Sequence, residues 1–285
     1  MREFKHCGPL HYDMVISSSP SNTDFSTGRY LDQQKIGNAL QQAVDFGASY
    51  AEVRLVSETG SSVNLRDGKL ENAIPGQEVG VTLRILADGA WGVHSTTDIG
   101  SISGQIESTV RLAKAVAMRR TSSDKPVQLA EVPIFQDEIH WHPKKDIRNT
   151  DLSTKIDMLK AIADSASDDE KIVSTTCGWA DEHIHTELLT SEGMDRVWSF
   201  QRSLVRGMVT ARDESEVVSY RTRYGGEGGL ELIESCDLGQ LGSDARIAAL
   251  RLLKAKRAPS GKMPLIADRD LTGVYIHEAL GHPCE

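Results

Sequence analysis

Between residues 30 and 118 the apolar positions change period twice. Ile36, Leu40, Ala43, Val44 and Phe46 recur at helical spacing after Asp32, a capping residue, and before Gly47, a stop, which predicts an amphipathic helix. From Ala51 the period drops to two, with Ala51, Val53 and Leu55 alternating against Glu52, Arg54 and Val56. Asp67-Gly68 interrupts the run 63–70, and Asp88-Gly89 separates 79–86 from 90–95. Asp-Gly pairs suit two-residue hairpin turns, so a meander of about four strands is expected. Helical period then returns over 99–118, where Ile102, Ile106, Val110, Leu112 and Val116 would cover one face of that sheet.

The second half repeats the order. Residues 121–150 read as a proline-punctuated linker with one short strand. Asp151 and Ser153 open a helix through Leu152, Ile156, Leu159 and Ile162, which ends near Asp168-Asp169-Glu170. Strands are expected at 171–178, 184–190, 196–205, 208–213 and 217–224, with Glu192-Gly193 and Arg206-Gly207 as turns. The glycine-rich run 225–229 reads as a flexible hinge. A helix over 244–256, a strand over 263–267 and a short capped helix reaching residue 282 follow. The expected class is α+β: a mobile, Ser-rich tail at 1–29, an α+β domain at 30–228, and the beginning of a further domain at 229–285.

Composition narrows the function. The chain has 285 residues, 39% of them apolar and 26% charged, and a formal charge of −9, which argues against a phosphate-binding surface and hence against nucleic acid as a partner. Its compact basic cluster, Arg251, Lys254, Lys256 and Arg257, falls late in a predicted helix, where the helix dipole favours it. Cys7, Cys177, Cys236 and Cys284 are dispersed without a CxxC pair, as expected of reduced thiols. No run has transmembrane length, and Met14-Val15-Ile16 is too short for a secretory core, so a cytoplasmic protein with no membrane partner is expected.

The chemistry concentrates in His277-Glu278-Ala279-Leu280-Gly281-His282, after the apolar Val274-Tyr275-Ile276. Two imidazoles can hold a zinc ion while a carboxylate one residue past the first takes a proton from water. The spacing departs from the usual i,i+4 pair. On a regular helix residues i and i+5 lie roughly 140° apart, so both histidines face one ion only if the helix widens by a residue, as in a π-bulge, or ends so that His282 swings round. Gly281 and Pro283 permit either.

Other polar groupings are weaker. Asp181, His183, His185 and Glu187 alternate on an expected strand, either as a metal-binding row or as a solvated face. His140 and His142 flank Trp141 with nothing nearby to complete a site, and no GxSxG elbow is present.

HEALGH with Pro283-Cys284-Glu285 resembles the HEAxGHxxE segment of the TldD/PmbA family of metallopeptidases, known historically as modulators of DNA gyrase. The run from Ala51 to Gly92, with its RDGKLE turn and GVTLRILADGAWG hairpin, is similar to that family's N-terminal signature. The resemblance implies zinc on His277 and His282, Glu278 as general base, peptide or unfolded-polypeptide substrates, and a dimer with a homologous subunit. It also implies a third ligand, a cysteine from a C-terminal portion beyond the motif. Cys284 and Glu285 are alternatives within the chain, which is expected to be a truncated form. A rival reading is a non-catalytic interaction subunit of such a dimer.

Overall fold

The computed structural model describes residues 28–121 and 124–284, so most of the expected 1–29 tail, and Glu285, lie outside the described residues. Helix α1, Gln33–Asp45, begins under Asp32, whose carboxylate accepts the Lys35 N–H at 2.9 Å. Ile36, Ala39, Leu40 and Ala43 are buried, whereas Val44 and Phe46, expected on the apolar side, sit at its exposed rim. Strands β1, Tyr50–Arg66, and β2, Lys69–Ala87, are joined by Asp67-Gly68, and β2 meets β3, Ala90–Thr96, through Asp88-Gly89. Both turn pairs have positive φ, 49° and 73° in the first and 50° and 73° in the second, as the expected hairpin turns require.

The meander has three strands, not four. Residues 51–56 and 63–66 belong to one strand because β1 pairs with β2 on one side and with β5, Ile172–Thr190, on the other, so its polar middle is held at both edges. Helix α2, Ile106–Ala117, follows a 3₁₀ turn at Ile99–Gln105. It buries Ile106, Thr109, Val110 and Ala113, and leaves Leu112 and Val116 exposed, against expectation, because they point away from that stripe. After β4, Gln136–His140, helix α3, Leu152–Ala166, is capped by Asp151 on the Thr154 N–H.

Strand β6, Asp195–Asp213, also replaces two expected strands. Arg206-Gly207 is no turn: Gly207 lies mid-strand opposite Cys177 and Thr222. A Cβ there would come within 3.2 Å of Thr222 Cγ2 and 3.4 Å of Ile162 Cγ2, so the glycine admits α3 onto the sheet. The run 225–229 is likewise no free hinge. Gly225–Glu227 complete β7, Glu216–Glu227, and a Cβ on Gly229 would lie 2.1 Å from the Lys145 carbonyl. Beyond it α4, Leu230–Glu234, and α5, Leu238–Leu253, pack on the same sheet. Helix α5 starts earlier than expected because Asp237 caps it. The expected strand at 263–267 does not form; among the described residues no strand takes its backbone groups, and Ile266 is 97% exposed.

The result is one mixed, mostly antiparallel sheet in the order β3-β2-β1-β5-β6-β4, with β7 on the remaining length of β6. Odd-numbered residues of β1, β2, β5 and β6 face the helices in two main cores. Leu31, Leu40, Val53, Leu55, Leu83 and Ile106 centre the first, and Val63, Leu65, Leu159, Ile162, Trp179 and Val205 the second. Helix then sheet, twice, is an α+β plan fused through the β1–β5 pair.

Candidate metal centre

Helix α6, Arg269–Ile276, opens under Asp268, whose carboxylate accepts the Leu271 N–H at 2.9 Å. Its C-terminal end widens into one π-helical turn, His277–Gly281, in which the His282 N–H donates to the His277 carbonyl. The extra residue turns an i,i+5 pair into neighbours: the two imidazole rings lie 4.6 Å apart at 62°. Glu278 Oε2 stands 3.6 Å from His282 Nε2. One ligand atom from each of His277, Glu278 and His282 lies within 4.8 Å of the others, and all three residues are exposed. Gly281 has a part in this, since a Cβ there would sit 3.3 Å from His277 Nδ1.

Two borderline imidazole donors with a carboxylate beside them fit part of a zinc site, in which three protein ligands and an open position are usual. Among the described residues the converging group does not include Cys284. The apolar flank of the motif is open to solvent: Val274 and Ile276 are 40% and 53% exposed, and Tyr275 and Leu280 are more so.

The row Asp181, His183, His185 and Glu187 turns out to be neither a metal group nor a solvated face. It lines β5 between the two cores. Glu187 is fully buried, and its carboxylate accepts the backbone N–H groups of Tyr30 and Leu31 at 2.6 and 3.1 Å, with His185 Nε2 at 3.0 Å. Asp181 is buried beside Lys155 Nζ at 2.7 Å, and the same carboxylate oxygen accepts from Ser61 Oγ and Trp179 Nε1. Burial, with the Arg148 guanidinium next in weight, pushes His183 down to about 4. His140, beside Trp141, joins this seam: Nδ1 meets Ser199 Oγ at 2.8 Å, and its ring lies parallel to that of His185 at 6.5 Å.

Comparisons with known proteins cover most of the chain. Residues 51–117 match the model for PmbA/TldA metallopeptidase domain 1, and 145–253 the model for the PmbA/TldA metallopeptidase central domain. A metalloprotease of Methanothermobacter thermautotrophicus is 31% identical over 90% of this chain and 54% of its own length. A zinc metalloprotease TldD homolog of Saccharolobus solfataricus is 23% identical over 86% of this chain and 52% of its own. The chain thus spans about half the length of the curated relatives it matches. Among solved structures, a modulator of DNA gyrase from Bacteroides thetaiotaomicron superposes with TM-score 0.62 at 22% identity, over 82% of this chain and 53% of that one. At these identities the structural likeness shows the fold. Among the described residues no helix is long and apolar enough to cross a membrane.

Proposed function

Because the chain belongs to the PmbA/TldD metallopeptidase family, we propose that HEALGH is the core of a zinc-dependent centre that hydrolyses peptide bonds in peptides or unfolded polypeptides. The observation that carries this reading is the π-turn, which brings His277 and His282 together with Glu278 beside them. A zinc ion held there supplies Lewis acidity to a carbonyl and makes water easier to deprotonate. His277 and His282 hold the metal, and Glu278, left out of the ligand set, takes the proton from the attacking water and passes it to the leaving amine.

We assign the third ligand, a cysteine by family resemblance, to polypeptide outside the described residues, and a homologous subunit as the dimer partner. In this scheme the expected boundary after residue 228 moves to follow Leu253, because α4 and α5 pack on the same sheet and the central-domain match runs over 145–253, so that 30–253 form the platform and the catalytic unit follows. A cytoplasmic location goes with it, supported by the dispersed cysteines, which form no CxxC pair.

The test is substitution in the metal-loaded enzyme. Glu278→Gln should leave zinc content unchanged and lower peptide hydrolysis by about 10²–10⁴-fold, while His282→Ala should lose metal and activity together. Full peptidase activity in zinc-loaded Glu278→Gln would overturn Glu278 as the base, and absence of peptide hydrolysis by the zinc-loaded parent enzyme would favour a non-catalytic interaction subunit.

A further inference from the structure

The sheet face turned away from the helices carries an unbalanced charge at the β6–β7 corner. Pairing register sets Arg206 directly opposite Arg223, Met208 opposite Arg221, and Arg212 opposite Val217. All four arginines are exposed. Arg206 reaches Asn64 Oδ1 at 3.4 Å; Asp213 pairs with Lys171 and Glu182 with Arg202, and Glu214 and Glu216 sit at the hairpin turn, away from Arg206, Arg221 and Arg223. Among the described residues none of the four arginines pairs with a carboxylate. Like charges directly across neighbouring strands destabilise a sheet, and a chain of net charge −9 has no general excess of cations to place there.

The same corner is an open edge. Among the described residues β7 pairs with β6 alone, so its outer backbone groups remain available along twelve residues. We propose that this edge docks an extended, acid-rich segment of a partner polypeptide, added as a strand beside β7. Successive same-face residues of a strand repeat every 6.6–6.8 Å or so, which matches carboxylates at alternate positions to Arg221 and Arg223, with Arg206 behind them. Guanidinium groups bind carboxylates as forks, and the opposite side chains of the added strand would meet Val218 and the partly exposed Tyr220. A nucleic acid fits less well: Tyr220 and Tyr224 lie on the helix side of β7, leaving no ring among the arginines for a base to stack on.

A fluorescein-labelled decapeptide of alternating Glu and Val, titrated against the full chain by fluorescence anisotropy, tests this. Saturable binding is expected, weakened at least tenfold by raising salt from 20 to about 200 mM. The double variant R221E/R223E should bind at least tenfold more weakly, as should a peptide N-methylated at alternate residues. Arg223→Glu places opposite charges across from Arg206, so its thermal midpoint should be unchanged or higher, which separates lost docking from lost folding. Three results would overturn the proposal: unchanged affinity in R221E/R223E, indifference to N-methylation, or tighter binding of a single-stranded oligonucleotide of equal charge. Loss of a self-dimer in R221E/R223E, with no peptide binding by the parent chain, would do the same by naming a second copy as the occupant.

Discussion

The seam along β5 and the turn at the end of α6 use the same residue types to opposite ends. In the seam, Glu187 accepts two backbone N–H groups, one oxygen of Asp181 accepts from Lys155, Ser61 and Trp179, and His185 lies against Tyr30 and Glu187. In the π-turn, His277, Glu278 and His282 converge with half or more of the Glu278 and His282 side chains open to solvent. A carboxylate engaged by buried backbone, lysine and hydroxyl donors holds a structure together; one that stands exposed beside imidazoles retains capacity for a proton. The contrast lies in partners and burial, and residue identity alone does not reveal it.

The largest effect should come from breaking the seam. Lys155→Met removes the cation from Asp181 while keeping the side chain's length, leaving a buried carboxylate served only by Ser61 and Trp179. A loss of about 3–5 kcal/mol in denaturant unfolding is expected. If Lys155→Met unfolds at the parent's denaturant midpoint, the seam is not structural in the sense argued. His183 gives a smaller, pH-dependent effect. Its folded pKa lies below the unfolded value of 6.5, so between pH 6.5 and about 4 the unfolded chain binds more protons. Stability is therefore complete above pH 6.5 and falls as pH drops through that window, by at most about 1.4 kcal/mol per pH unit. Stability curves of His183→Gln should be flatter there by that contribution, and parallel curves for variant and parent would remove His183 from the account.

The smallest effect belongs to the exposed turn. Gly281→Ala puts a methyl 3.3 Å from His277 Nδ1 on a ring with open space around it, so the imidazole should yield by a few tenths of an ångström. Zinc affinity measured by competition with a chelator should fall a few-fold, while the thermal midpoint of the fold stays where it was. A midpoint that moves with affinity would mean that the turn is tied into the platform.

Much of the fold is legible in the sequence because its signals are local. Asp32 and Asp151 cap the helices they precede, and both Asp-Gly pairs make the tight turns that their chemistry favours. The i,i+5 spacing of His277 and His282 already demands a widened or interrupted helix, and the widened one is found. What escapes is long-range. Period-two polar residues in β5 look solvated until Tyr30, 157 residues away, and Lys155, 26 residues away, are brought onto them. Gly207 looks like a turn until Ile162 of α3 is laid over it. The run 263–267 has the apolar content of a strand, but a strand exists only where another backbone accepts it.

The pairing of β1 with β5 sets an order of events during synthesis. Glu52 lies against Thr190, and Arg66 against Thr176, so one edge of β1 waits for residues made more than a hundred positions later. At a translation rate of about 5–20 residues per second, that delay is on the order of ten seconds. For that interval a nascent β1–β2 hairpin offers Val63 and Leu65 and an unpaired backbone to whatever is near the ribosome exit, which makes this edge a natural point of hold for a chaperone.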